Sequence, residues 1–369
     1  MTLGLTTAGE SHGPALVAIL TGLPAGLALD RDAIDTDLRR RQQGYGRSPR
    51  QQLEQDSVEV LAGLRHGRTL GTPLALVVRN LDHRNWTWGM SPWPPEGEPS
   101  GKGTKPVTLP RPGHADLAGI LKFGHEDVRN ALERASARHT AVLVAAGAVA
   151  KALLKELEIE VLGIALEIGG ESGEQAQREA TDAAKSGRDT LGGVVEVRAT
   201  GVSPGLGSYA SREDRLDGRL AAALMAIQAV KGVELGDGFA LARVRGSKAH
   251  DEIEAAPSGG GLRRRSNRAG GIEAGISNGE ELVVRAAMKP LPTLMKPLDS
   301  VDLATGAPAQ ALVERSDVHA VEALAVVAEA VVAWELARAA KEKFGGDAIG
   351  DLVAAHRAYL ERIRWPRTP

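Results

Sequence analysis

The chain has 369 residues, 43% hydrophobic and 25% charged, with 45 Lys and Arg against 47 Asp and Glu and a formal charge of -2. That is a globular composition long enough for a large core, and its balanced charge provides no global field for nucleic acid or a membrane surface, so affinity for anions must be local. Cysteine is absent, which excludes disulfides, thiolate metal centres and a thiol nucleophile; no metal site is expected.

Residues 1–7 lack the basic and apolar runs of a secretory signal, and residues 141–154 are interrupted by Lys151, so a cytoplasmic protein without a membrane span is expected. With three Phe, three Tyr and five Trp, the core must be built from Ala, Val, Leu and Ile, so that helices can approach closely. Gly9-Glu10-Ser11-His12-Gly13-Pro14 precedes an alternating run, residues 15–20, that reads as a strand. The flanking glycines let backbone approach a ligand while the strand holds the imidazole, so His12 could give a proton to a phosphate or hydrogen-bond it. The alternative is a structural histidine in a turn. Residues 30–41 read as a polar helix capped by Asp30. It runs into a basic loop, residues 39–50, with five arginines around two glycines. Either a clamp for a small anion or a solvated basic face fits that loop. Tyr45 alone is too little for a nucleic-acid stacking platform.

Residues 57–61 and 74–78 read as strands. Residues 81–113, with Trp86, Trp88, Trp93 and seven prolines, lose all periodicity and read as a lid or binding loop. Gly101-Lys102-Gly103-Thr104 has the wrong glycine spacing for a phosphate-binding loop. Arg111-Pro112-Gly113-His114-Ala115-Asp116 and residues 133–140 then lead into the uncharged run 141–150, a buried helix. Ser136 reads as its N-cap, and an anion there would meet free backbone donors together with Arg134 and Arg138. A cap with solvated arginines is the plainer alternative.

Beyond that helix, residues 160–166 and 192–200 read as strands, the second partly covered on both faces, and 171–188 as a polar, mobile excursion. Residues 216–230 read as a helix and 243–256 as a strand turning polar. The small residues of 259–279 suit either a planar ligand lying on backbone or a surface loop. Residues 282–288 read as a strand that displays Lys289 and Thr293 at its end, and residues 320–341 as a second buried helix. Asp317, just before it, is either its cap or a pocket carboxylate.

Taken in order, residues 9–13, the loop 41–47, residues 111–116, Ser136-Ala137-Arg138 and Arg315-Ser316-Asp317 resemble the chorismate synthase family over nearly the whole chain. Leu132-Glu133-Arg134 and residues 289–294 resemble its bacterial branch. The departures are Ala135, His139, Ala274 and His319, and a short 171–188 stretch. The resemblance implies one domain over residues 1–369, an α+β sandwich of buried helices between antiparallel β-sheets, assembled as a homotetramer. It implies an anti-1,4-elimination of phosphate from 5-enolpyruvylshikimate 3-phosphate to chorismate, the last common step toward the aromatic amino acids. Reduced FMN would be required without being consumed, with NADPH a candidate reductant or a separate flavin reductase a candidate partner.

The same resemblance implies residue roles. His12 would assist the departing phosphate, His114 would protonate or steady the flavin, and Ser11 and Ser136 would orient groups or relay protons. Asp317 would be the base that restores the flavin. Flavin contacts would come from Arg134, Ala135, Ser136, Gln228, Ala229, Ala274, Lys289, Pro290, Leu291, Pro292, Thr293 and Arg315. Arg41, Arg47, Arg111 and Arg138 would hold the substrate or NADP. A flavin oxidoreductase with net hydride transfer is the main competitor, and an RNA-binding module using the arginine loops a remote one.

Overall fold

In the computed structural model, which describes residues 2–47, 55–255, 261–313 and 317–364, the alternating run after His12 becomes strand Ala15–Thr21. Its buried residues Leu16, Ala18 and Leu20 point inward and the others do not, as period-two side chains require. It lies between Gly4–Ala8 and Leu74–Arg79, and Val58–Ala62 completes an antiparallel sheet of four strands. The second sheet, also antiparallel, has the order Val230–Leu235, Leu282–Met288, Gly193–Thr200, Glu160–Ile168 and the short Glu171–Ser172. Register pairs Val284 with Val197 and Ala286 with Val195, so one face of this sheet is a continuous apolar surface.

Two helices fill the space between the sheets. Thr140–Lys155 packs on the first sheet, Val321–Phe344 packs on the second, and the two pack on each other. Their small residues make this possible: a Cβ added to Gly147 would lie 2.3 Å from the Ala330 Cβ. Strand and helix meet as closely at Gly163, whose Cβ would fall 2.1 Å from the Ala325 carbonyl oxygen. One apolar core runs through both sheets and both helices, giving the α+β sandwich that the sequence resemblance implied. The stretch Arg129–Lys155 is long and apolar enough to cross a bilayer, but it contains this core helix.

Several local expectations change. The polar residues 171–188 form a helix, Glu174–Ser186, that buries only Thr181 and Ala184. The helix expected over 216–230 stops at Met225; Ala229, at φ 68°, turns the chain into the strand Val230–Leu235. Residues 243–256 hold a short helix, Gly246–Ala249, and only a three-residue strand, Ile253–Ala255. Residues 81–113 are irregular after the 3-10 turn Leu81–Asn85. Ser136 caps a 3-10 turn, Ala137–His139, by accepting from the Arg138 amide at 3.3 Å, and the core helix begins at Thr140 behind it. Asp317 is not a helix cap, since Ala320 occupies that position.

Candidate functional site

A cavity of about 420 Å³ opens where the N-terminal ends of both core helices meet the loops leaving the strands. The first strand ends at Ala8, and the glycine-rich turn that follows carries Ser11 and His12 to the rim. The His12 ring is fixed on two sides. Its Nδ1 lies 2.9 and 3.0 Å from the two carboxylate oxygens of Glu133, and Trp86 stacks on its face at 4.0 Å between centroids. The His12 backbone N–H also donates to Glu133, at 2.9 Å. Arg129 lies over the other components, 3.3 Å from a Glu133 oxygen and 4.9 Å from the Trp86 ring centre. Burial pushes the Glu133 carboxyl up, but the His12 hydrogen bonds and nearby cations outweigh it and hold it below its usual range.

His114 repeats this arrangement across the cavity. Its Nδ1 is hydrogen-bonded to the fully buried Asp116, which also accepts from the Arg111 side chain at 2.9 Å and the Arg111 amide at 3.0 Å. Burial opposes ionisation of Asp116, yet His114 and Arg111 together take its carboxyl from 3.8 down to about 2. Arg111 then reaches Thr293 at 3.0 Å, tying this cluster to the segment after the strand Leu282–Met288. Lys289 donates to the Gly113 carbonyl and so brackets His114 from the same segment.

The remaining wall is apolar. Ala320, Ala323, Leu324 and Val327 present one side of the second core helix, at the spacing of a helical face, and Ile227, Met288 and Leu291 face them. Gln228 also lines the cavity, and its buried Oε1 has no hydrogen-bond partner among the described residues. Ser136 donates to Ser11 at 3.2 Å, joining the two serines at the rim.

The site residues named from sequence divide clearly. Ser11, His12, Arg111, His114, Ala135, Ser136, Gln228, Ala229, Lys289, Leu291, Pro292 and Thr293 line the cavity. Arg41, Arg47, Arg138 and Asp317 do not. They form a charge cluster behind Thr140, which itself lines the cavity. Arg41 donates to the Thr140 hydroxyl at 2.8 Å. Asp56 lies 3.3 Å from Arg41 and 2.6 Å from Arg138, and Arg47 pairs with Asp317 at 2.8 Å. Burial pushes the Arg41 guanidinium down to about 10, Asp56 opposing the shift and the charges of Arg138 and Arg47 adding to it. Arg134 is bonded to the Thr7 and Gly9 carbonyls, each at 3.2 Å. Ala274 sits in a tight hairpin at φ 50°, Pro290 is not part of the lining, and Arg315 lies outside the described residues.

Sequence reading did not single out Glu133, Trp86 or the apolar helix face as site elements. The long irregular loop flagged Trp86 only as one of several tryptophans, and nothing in spacing connects Glu133 to a residue 121 positions earlier.

The family model described as chorismate synthase matches residues 3–340. A chorismate synthase of Desulforudis audaxviator is 53% identical over 384 residues, covering 97% of each chain. One from Pelobacter propionicus is 53% identical over 390 residues, covering 97% of this chain and 98% of its own. A crystal structure titled chorismate synthase superposes with a TM-score of 0.78 at 37% identity, over 98% of both chains.

Proposed function

The chain belongs to the chorismate synthase family of lyases, and on that premise we propose that the cavity eliminates phosphate from 5-enolpyruvylshikimate 3-phosphate with reduced FMN and no net redox change. One observation carries this reading most strongly: two histidines, each with a carboxylate on Nδ1, face a single cavity that also holds cations. The residues present fit a flavin. Small side chains at Ala320 and Ala323 leave an apolar wall for a flat ring system, and the unpartnered Gln228 oxygen is an acceptor awaiting an N–H. Gln228, Ala229, Leu291, Pro292 and Thr293 would hold the flavin, and Lys289 with Arg111 would meet its negative charge. Bound there, reduced FMN would supply the electron that helps the allylic C–O bond to break and would accept the hydrogen lost from the ring.

The protein's own work is electrostatic and protonic. His12 gives its Nε2 proton to the departing phosphate, while Glu133 stabilises the imidazole on the opposite nitrogen. His114, held by Asp116, supplies or steadies a proton beside the flavin. Ser11 and Ser136 pass protons along the rim. Arg41 and Arg138, countered by Asp56, give this end of the cavity its positive potential, through Thr140 and Ala137. Asp317 stands just before the wall residue Ala320, paired with Arg47; to act as the restoring base it must leave that pair. Arg134 braces the chain before Ser11 through the Thr7 and Gly9 carbonyls, and residues 1–369 act as one domain.

The test is anaerobic. Reduced FMN and 5-enolpyruvylshikimate 3-phosphate are mixed with the protein, and phosphate release is followed together with the flavin spectrum. Many phosphates per flavin, with the flavin still reduced, support the reading; flavin oxidised in step with product sinks it in favour of an oxidoreductase. A cytoplasmic homotetramer, reduced by NADPH directly or through a separate flavin reductase, completes the proposal on the strength of the family alone. Light scattering tests the tetramer, and flavin bleaching by NADPH with no other protein present distinguishes the two routes of reduction.

A further inference from the structure

We propose that Glu133 is a positioning residue of this elimination, fixing the proton on His12 Nδ1 and so directing proton transfer to the substrate phosphate through Nε2. The proposal rests on the placement of His12 at the departing phosphate. Glu133 is buried and uses both carboxylate oxygens within 3.0 Å of the His12 ring nitrogen, and one of them also accepts the His12 amide. Backbone and ring of one residue are therefore gripped by one carboxylate, which leaves the imidazole a single orientation. Trp86 covers the ring face at an interplanar angle of 20°, removing the rotation that remains and excluding water on that side.

Other charged groups around this pair are few. Arg129 bonds to Glu133 and stacks over Trp86. Lys102 lies 5.8 Å from the Trp86 ring centre, and Asp82 accepts from the Trp86 indole at 2.9 Å. His83 donates through Nδ1 to the His12 carbonyl at 2.9 Å. Of these groups, Glu133 is the one that brings its carboxylate to the His12 ring. A buried carboxylate on the far nitrogen of a catalytic imidazole selects its tautomer and stabilises its charged form. A purely structural brace would need only the hydrogen bond to the amide.

Glu133→Gln keeps the shape and removes the charge, with one accepting oxygen left for the His12 and Arg129 donors. With reduced FMN and 5-enolpyruvylshikimate 3-phosphate, the variant should lose about 100-fold in kcat, and the alkaline limb of its kcat/KM profile should move to lower pH. Glu133→Asp should recover part of the rate and of the pH profile. In a His12→Asn background, Glu133→Gln should cost almost nothing more, because both act through one imidazole. A second readout needs no flavin. A stacked imidazolium quenches indole emission more than a neutral imidazole does, so the pH-dependent fluorescence lost on Trp86→Phe should shift downward in Glu133→Gln.

No turnover in the unaltered protein would defeat the functional reading, whereas undiminished turnover in His12→Asn would leave that reading standing and overturn the proposal by removing His12 from proton transfer. If His12→Asn keeps a measurable but much reduced rate, while Glu133→Gln loses rate equally at every pH and its loss adds in full to that of His12→Asn, the proposal is overturned and Glu133 is a brace. Should Glu133→Gln fail to fold, Glu133→Asp carries the same comparison: an unmoved pH profile and fluorescence titration would contradict the proposal.

Discussion

Asp116 shows how much rests on one side chain. It is fully buried, pairs with Arg111 and His114, and is the main reason that a buried guanidinium is tolerated beside the cavity. Removing one partner of such a pair leaves the other charge uncompensated, so Asp116→Asn should cost about 3–5 kcal/mol of folding stability, measurable by chemical denaturation. Its carboxyl is taken from 3.8 to about 2 in the folded protein. A depressed carboxyl stabilises the fold above its unfolded value, so this contribution is complete above about pH 4 and is lost between there and about pH 2. His139 acts in the same direction, over a higher pH range. Burial and the charge of Arg134 push its imidazole from 6.5 down to about 4, while Thr7 hydrogen-bonds it at 2.7 Å. A base depressed in the folded state binds more protons when unfolded, so stability falls as pH drops from 6.5 toward about 4. His139→Gln should flatten part of that slope, read as urea midpoints at pH 7 and pH 5; an unchanged slope would show that His139 is not a source of it.

At the scale of the elements, the contact between the two core helices is the feature most exposed to test. Helix propensity alone makes Gly147→Ala favourable by about 1 kcal/mol. The added Cβ would lie 2.3 Å from the Ala330 Cβ and 2.4 Å from its Cα, and overpacking of this kind costs about 1–3 kcal/mol. The substitution should therefore destabilise the protein in chemical denaturation, and a gain in stability would mean the helices have room to spare. Runs of alanine, valine and leucine, uncharged over residues 141–150 and interrupted by Glu322, Glu329, Glu335 and Arg338 in the second helix, made both helices legible from sequence, and the apolar stretches at Ala15–Thr21 and Leu282–Met288 did the same for two strands. The strand Val230–Leu235 was not legible, because Lys231, Gly232 and Glu234 break its apolar pattern and it follows a helix with only Ala229 to mark the turn. Glu174–Ser186 was missed because it packs so little apolar surface that composition alone reads as loop. The site divides along the same lines. Motifs with unusual local chemistry, such as His12 between glycines or Arg111 before His114, announced themselves. Glu133 and the wall residues Leu324 and Val327 matter through tertiary proximity, which no local spacing encodes.

For the molecule as a whole, a formal charge of -2 conceals a strongly polarised interior. Cations gather where the two core helices begin, while the walls of the same cavity are alanine, leucine and valine. That contrast suits a ligand pair with anionic groups at one end and flat apolar rings at the other. Ala323→Leu would fill the apolar wall without touching a charge, so it should weaken reduced FMN binding about 10-fold or more while leaving thermal stability nearly unchanged, as followed by flavin fluorescence and by unfolding. The most direct measurement is a crystal structure of the protein with FMN and 5-enolpyruvylshikimate 3-phosphate bound. The account predicts the flavin ring between Ala320–Val327 and the segment that carries Gln228 and Thr293, with the substrate phosphate within hydrogen-bonding reach of His12. Flavin bound elsewhere, such as the groove beside His139 and Trp334, or a phosphate remote from both histidines, would contradict it.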